Sequence, residues 1–265
     1  MRNPVIIIFA FILLSNIVMA ASPVITDIAS ITAQDPTPGS TTTVAVWFVA
    51  NDDDGDLNNS AAAVYFTKSN EAIRSNTSCS VASINSTANN YSCPVGMLFY
   101  DAPGIWNVNA SIRDISGNYT ENTTTNFTYN TGLHMSMTPA AINFGTNLIT
   151  GQQNVAATDD PIVITNKGNV DITDVIVVAY DMVGETYNSY VIDAYNFECD
   201  IDDVADDTIQ LSDSSYTHID DITLISRGAS STASLFYHVD IPSSDIQVQT
   251  YSTAGGSDWE IIVSA

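Results

Sequence analysis

Short runs of β-branched and aromatic residues recur along the chain at strand length, and several of them alternate apolar with polar positions. In the first half the clearest are Thr43 to Val49, Ala62 to Phe66 and Trp106 to Ile112. The last alternates strictly. Because successive side chains of a strand point to opposite faces, it places Trp106, Val108, Ala110 and Ile112 together on one buried face. Residues 161–165, 175–180, 223–225, 233–239, 246–251 and 259–263 repeat the style in the second half. Turn-forming clusters punctuate these runs: Asp35-Pro36-Thr37-Pro38-Gly39, residues 52–59, Ala102-Pro103-Gly104 and Ile115-Ser116-Gly117-Asn118. No long segment shows the helical period of about 3.6 residues. Many short strands with regular turns predict an all-β protein made of antiparallel β-sandwiches.

The first twenty residues follow a different pattern. Arg2 precedes an almost unbroken apolar run from Val5 to Leu14, and Val18-Met19-Ala20 supplies small residues at the positions a signal peptidase reads. Residues 1–20 are therefore expected to be a secretory signal peptide, cut after Ala20 or Ala21. An uncleaved anchor is the alternative, although the run is shorter than the roughly 20 residues of a comfortable span. Residues 259–265 look like a last strand with no hydrophobic tail beyond it, so no transmembrane helix is expected in the mature chain.

Cysteine usage agrees with export. Cys79 and Cys93 lie 14 positions apart and are expected to form a disulfide, with metal ligation as the alternative. No third Cys or His lies near them in sequence to complete a tetrahedral site. Cys199 is left over, either as a buried small hydrophobe or as one end of an intermolecular bridge.

Charge sharpens the picture. Thirty acidic residues against six basic ones give a net charge of -24, yet only 14% of the chain is charged and 45% is hydrophobic. Enough apolar surface exists to offset chain entropy, which excludes a disordered acidic tail. The scarcity of Lys and Arg argues against nucleic acid and anionic membrane surfaces as partners. Residues 21–132 hold ten acids and three bases, a net -7, whereas residues 133–265 hold twenty acids with only Lys167 and Arg227, a net -18.

Asparagine chemistry divides the opposite way. The N-glycosylation pattern occurs at Asn58, Asn76, Asn85, Asn90, Asn109, Asn118, Asn122 and Asn126, and at no position after residue 133. A glycan-coated first half is expected, with Asn109 facing solvent; a Thr- and Asn-rich strand surface that matches by accident is the alternative.

Two segments resemble known surface modules. Gly104 to Asn118 is similar to the penultimate strand and turn of PKD-like and related immunoglobulin-like modules, and Asn51 to Leu57 resembles their acidic turn after the second strand. The Trp-Asp-Phe-Gly-Asp strand of those modules is replaced by Ala63-Val64-Tyr65-Phe66-Thr67, so the broader Ig-like label fits better. In the second half Ile162 to Ile172, with its Asn166-Lys167-Gly168-Asn169 turn, is similar to prokaryotic, archaeal-type cell-surface Ig-like repeats. These resemblances imply two Ig-like sandwiches, residues 21–132 and 133–265, displayed outside the cell. They imply no catalytic residues, because function lies in sites grafted onto such folds.

Candidate chemistry is sparse. The turn Asp52-Asp53-Asp54-Gly55-Asp56 gathers four carboxylates, and hard oxygen ligands at this spacing suit calcium, with Asp52, Asp54 and Asp56 as expected ligands. A divalent ion would relieve their repulsion; a solvated turn is the alternative. Asp200, Asp202, Asp203, Asp206 and Asp207 invite the same idea. His134, His218 and His238 lack zinc-site spacing, and no nucleophile elbow or phosphate-cradling loop occurs, so an enzyme is not expected. Trp47, Trp106 and Trp259 with Tyr180, Tyr187, Tyr190 and Tyr195 would stack on sugars where exposed, although Trp106 fits a core position better.

The expected function is that of a non-enzymatic secreted or cell-surface glycoprotein with a structural or adhesive role. Its partners would be other surface proteins, glycans or further copies of itself. Alternatives are a carbohydrate- or ligand-binding module, and a filament subunit in which Ser22 to Ala33 joins a neighbour's sheet edge.

Overall fold

The computed structural model describes residues 21–204, 209–227, 231–254 and 256–265. The expected signal peptide, and Asp206 and Asp207 of the second acidic cluster, lie outside the described residues. Regular structure among the described residues is strand, apart from two 3-10 turns at Asn59–Ala61 and Ala194–Asn196. No helix among them is long and apolar enough to cross a membrane.

Eight strands build the first half: β1 (Val24–Ile28), β2 (Thr41–Asn51), β3 (Ala63–Thr67), β4 (Arg74–Asn76), β5 (Ser80–Ser83), β6 (Ala88–Leu98), β7 (Gly104–Arg113) and β8 (Tyr119–Tyr129). They form two antiparallel sheets, β1-β2-β6-β5 and β4-β3-β7-β8. This is the immunoglobulin-like arrangement of an A-B-E-D sheet against a C-F-G sheet, with β4 added beside β3.

The period of two explains the core. Val44, Val46, Phe48 and Ala50 of β2 point inward, as do Tyr91, Cys93, Val95 and Met97 of β6, along a ladder that runs unbroken from Thr41↔Leu98 to Asn51↔Ala88. Trp106, Val108, Ala110 and Ile112 of β7 are all fully buried, as the alternation predicts. Burying a side chain such as Val108 or Ile112 contributes about 1.5–3 kcal/mol. The Trp106 indole N–H donates to the Ala102 carbonyl (2.9 Å), so the largest core side chain leaves no unpaired donor.

Periodicity alone does not mark β6 and β8. Pro94 and Gly96 sit on the outer face of β6, and β8 is an edge strand of Thr and Asn in which only Phe127 and Tyr129 are buried. Pro94 lies beyond the end of β5, which pairs only with residues 89–92, so its missing N–H costs no ladder bond. Its carbonyl accepts from Asn76 Nδ2 (2.6 Å).

The second half continues with β9 (Met135–Thr138), β10 (Val155–Ala156), β11 (Ile162–Asn166), β12 (Asp174–Val178), β13 (Met182–Gly184), β14 (Val191–Ile192), β15 (Phe197–Asp200), β16 (Tyr216–Ile219), β17 (Thr232–Val239), β18 (Tyr251–Ser252) and β19 (Glu260–Ser264). β9, β10, β11, β15 and β17 form one sheet, β16-β12-β19 a second, and β14-β13-β18 a small third. Two expected strands are not regular ones. Leu224 makes only an isolated bridge to Ile172, and residues 246–250 form no ladder. There Gln249 Oε1 accepts from the Thr186 and Tyr187 N–H groups (3.0 and 2.7 Å), while Val248 is fully exposed, so side-chain bonds replace strand pairing.

Two separate hydrophobic clusters result, one drawn from residues 25–129 and one from residues 135–263. They divide where the charge composition changes. Between them the Asn166-to-Asn169 turn closes the junction. Asn169 Oδ1 accepts from Gly132 N (2.7 Å), and its Nδ2 donates to the carbonyls of Asn130 (2.9 Å) and Asp101 (3.3 Å). A side chain on Gly168 would place its Cβ 2.0 Å from the Gly132 carbonyl oxygen, so only glycine permits this approach. On the surface, Arg227 makes a forked pair with Glu71 (2.8 and 3.0 Å) and lies over the Tyr100 ring.

Cys79 and Cys93 are bonded, which ties the segment between β4 and β5 to the buried face of β6. Cys199 is fully buried in β15, and burial pushes its thiol up to about 12. That position suits a small hydrophobe and leaves no accessible thiolate for an intermolecular bridge. Replacing Cys79 and Cys93 together by Ala is expected to lower unfolding free energy by about 3 kcal/mol in urea titrations, the value for closing a loop of this length.

Candidate functional site

Three turns meet at one end of the first sandwich. The turn after β2 opens with Asp52, whose N–H donates to the Thr87 carbonyl (2.8 Å) and whose Oδ1 accepts from Asp54 N (2.9 Å). This is the Asx-type turn expected of Asp. Gly55 N donates back to the Asp52 carbonyl (2.9 Å), with φ +71° and a Cβ position that would fall 2.7 Å from the Ser86 carbonyl oxygen. Only glycine fits there. The chain then runs beside the end of β7. Leu57 bridges to Asp114, and Ile115 N donates to the Asp56 carbonyl (2.9 Å).

That bridge assembles a carboxylate trio. One oxygen each from Asp52, Asp56 and Asp114 lies within 4.8 Å of the others, and Asp52 and Asp114 are only 1% exposed. Asp114 is held on both oxygens, by Asn118 N and Asn118 Nδ2 (2.7 Å each). Asp56 Oδ2 accepts from the Ser116 hydroxyl (3.2 Å). Asp52 Oδ2 and Asp56 Oδ1, by contrast, are buried with no hydrogen-bond partner. None of the ion pairs among the described residues reaches the trio. Burial, and then the charges of Asp56, Asp114 and Asp54, raise the Asp52 carboxyl above its ordinary range; the bond from Asp54 N opposes this.

The structure groups Asp52 and Asp56 with Asp114 and not with Asp54. Asp54 is exposed and accepts from Ala21 N. Asp114 stands at the end of the alternating strand just before its Gly-containing turn, a signal that sequence spacing within the β2 turn does not contain. The second acidic cluster is built differently. Asp200 and Asp202 cap their own loop through Ile201 N and Val204 N, and Asp203 lies 3.4 Å from His238 Nε2, whose Nδ1 lies 3.4 Å from Glu198. His218 pairs across the sheet with Asp174 (3.0 Å), rather than with Asp220 or Asp221.

Several glycosylation motifs close a local turn on the Asn side chain, Asn76 among them through Ser78 N (2.7 Å), and they differ in whether the amide nitrogen is also engaged. In Asn85 and Asn122 the side-chain Oδ1 accepts from the N–H of the Thr two positions on (2.8 and 3.0 Å) and from its hydroxyl (3.1 and 2.7 Å). Asn58 does the same with Ser60. The amide nitrogen, which would carry a glycan, takes no part in this turn. In Asn76, Asn109 and Asn118 that nitrogen is committed, to the Pro94 carbonyl, to Glu121 (3.0 Å) and to Asp114 respectively. Asn109 is half-buried with a buried Oδ1, not the open solvent position expected of it. Asn90 is half-buried and Asn126 exposed. Of the aromatic residues, Trp47, Tyr187 and Tyr195 are exposed, Trp106 is core, and Trp259 is half-buried.

No protein-family model and no curated protein matches the chain.

Chemically, the trio is a set of hard oxygen donors with surplus negative charge. It can share a proton or hold a hard cation. Because the Asp52 pKa is raised in the fold, the folded state binds more protons than the unfolded one between the ordinary and the raised value. Stability from this site is therefore present at acid pH and lost as pH rises through the raised value. In chelator, urea unfolding from about pH 4 to about pH 7 is expected to show wild type losing stability relative to Asp52→Asn. Parallel curves would remove the assignment of Asp52 as the strained carboxylate.

In a host that glycosylates exported Asn, glycopeptide mapping is expected to find Asn85, Asn122 and Asn126 occupied ahead of Asn76, Asn109 and Asn118. Uniform occupancy would show that the hydrogen bonds of the folded state do not select among them.

Proposed function

We propose that the chain is a non-enzymatic secreted or cell-surface protein with a structural or adhesive role. Its first half would carry glycans and would be fixed at one end by calcium. The observation that carries this is the pair of orphaned buried oxygens, Asp52 Oδ2 and Asp56 Oδ1, beside Asp114. Oxygens that share one calcium at roughly 2.3–2.6 Å stand no more than about 5 Å apart, and the trio already satisfies that spacing. An all-carboxylate donor set favours calcium over zinc, which draws on His and Cys. Asp52, Asp56 and Asp114 would hold the ion and thereby tie the β2 turn to the β7–β8 turn.

Other features support the setting. The apolar N-terminal run, the disulfide and the sequons concentrated in one half suit export. The Ig-like strand order of the first half, with Gly104–Arg113 as its penultimate strand, suits the surface modules that the sequence resembles. The filament alternative asks more. β1 pairs with β2 from Val24↔Asn51 to Ile28↔Phe48, so donating Ser22 to Ala33 requires β1 to leave its own sheet.

Thermal melting in excess calcium against excess chelator tests the reading. A calcium concentration one hundred times the Kd would add about 2.7 kcal/mol, read as a raised Tm. Asp52→Asn and Asp114→Asn are expected to abolish the difference. Identical melting of wild type in calcium and chelator would overturn the calcium assignment.

A further inference from the structure

The sequon at Asn90 stands on an inner strand. β6 is paired by β2 on one side and by β5 on the other, which sets Asn90 opposite Val49 and Ala82. Tyr91 and Cys93 point into the core, so Asn90 and Ser92 point to the outer face of the sheet. A sugar joined to Asn90 is therefore flanked by strands on both sides and rises from that face. Among the described residues no partner holds the Asn90 amide, in contrast with the amides of Asn76, Asn109 and Asn118.

Trp47 lies on the same face. It pairs with Ser92, so it stands diagonally across from Asn90, at a separation of roughly 7–8 Å that long side chains bridge. Val46 and Phe48 on either side of it are core, whereas Trp47 is 48% exposed. The residues that flank it are small: Ser92 with Ser80 beyond it on β5, and on the other side Ala29, whose N–H donates to the Trp47 carbonyl (2.9 Å). Such neighbours are too small to cover an indole, so an apolar platform stays open beside the attachment point.

We propose that Trp47 is the resting surface of the first sugar on Asn90, a pyranose whose C–H face lies against the indole ring. The C–H bonds carry partial positive charge and the ring face is negative, so the contact is attractive as well as apolar. In attachment, Asn90 Nδ2 bonds to sugar C1 and loses one proton. The phosphate-linked carrier of the host's activated sugar donor departs with the electron pair of the broken C1–O bond. The inference rests on the glycosylation proposed for the first half, and it gives one glycan a structural part: covering the exposed indole and holding the sugar chain against the β1-β2-β6-β5 sheet.

Hydroxyl-radical footprinting tests the proposal on the full chain, produced in a secretory host that adds N-acetylglucosamine to Asn and trimmed enzymatically to that first sugar. Mass spectrometry reads sequon occupancy and Trp47 oxidation in the same digest. Trp47 is expected to oxidise about twofold more slowly than in Asn90→Gln, because one of its two ring faces is covered. Ser92→Ala, which removes the sequon and keeps Asn90, serves as a second sugar-free form. Asn85→Gln, which strips the turn between β5 and β6, should leave the Trp47 rate unchanged. Loss of the Asn90 sugar should also lower the Tm by about 2 °C in the wild type and leave it unchanged in Trp47→Ala. Equal oxidation of Trp47 with and without the sugar overturns the proposal, as does an empty Asn90 beside occupied sequons elsewhere. Empty sequons throughout the first half would remove the glycosylation reading along with it.

Discussion

A carboxylate taken out of water must be compensated where it stands, and this chain has thirty acidic residues to place with only six basic ones. Asp101, fully buried, receives two N–H groups of Arg74 and the N–H of Leu98. Its own carbonyl then accepts from Asn169, so the fully satisfied acid becomes part of the junction between the halves. Glu198 lies against His238. Asp160 relies on the Tyr237 N–H (2.9 Å), and burial raises its pKa. At Asp160, as in the trio of Asp52, Asp56 and Asp114, donors satisfy some oxygens and leave others bare; the trio is where such oxygens of several carboxylates meet.

That imbalance is tolerable because of where it sits. The two long ladders, β2 with β6 and β7 with β8, fix the interior of the first sandwich through side chains that alternate inward. The turns at their ends inherit positions they did not choose. Asp52 and Asp114 are consequently held close by strands whose stability comes from apolar burial elsewhere. Such a site is preorganised, so an ion that binds there need not pay for ordering the loop.

The second half meets its constraints with shorter strands and more loop. Three sheets share one cluster, and Trp259 joins it through an edge contact with Phe197 (5.0 Å) and a tilted one with Tyr237 (6.2 Å). Phe144 meets Phe197 in turn (5.4 Å), so the rings form a continuous chain, whereas in the first half Phe48 stacks on Tyr91 (4.9 Å) and Phe66 meets Phe127 edge-on (4.8 Å) as separate pairs.

Short β-branched and aromatic runs between turns marked β2, β3, β7, β11, β12, β17 and β19 and an all-β architecture, and strict alternation in β7 marked the burial of Trp106. Such runs are legible because β-branched and aromatic side chains favour a half-buried pleated surface, and strand periodicity states which of them leave water. The disulfide and the acidic turn were legible for a similarly local reason, as spacing within one segment. Polar edge strands such as β8 were not, because a Thr- and Asn-rich strand is held by its neighbour's ladder and carries little burial signal of its own. Nor was the composition of the carboxylate trio, or which sequon amides are free. Asp114 joins Asp52 and Asp56, and Asn109 turns to Glu121, only once the β7–β8 hairpin folds back and the β2 turn bridges to its end. Those outcomes belong to tertiary structure because they depend on register between strands far apart in sequence, which no local pattern encodes.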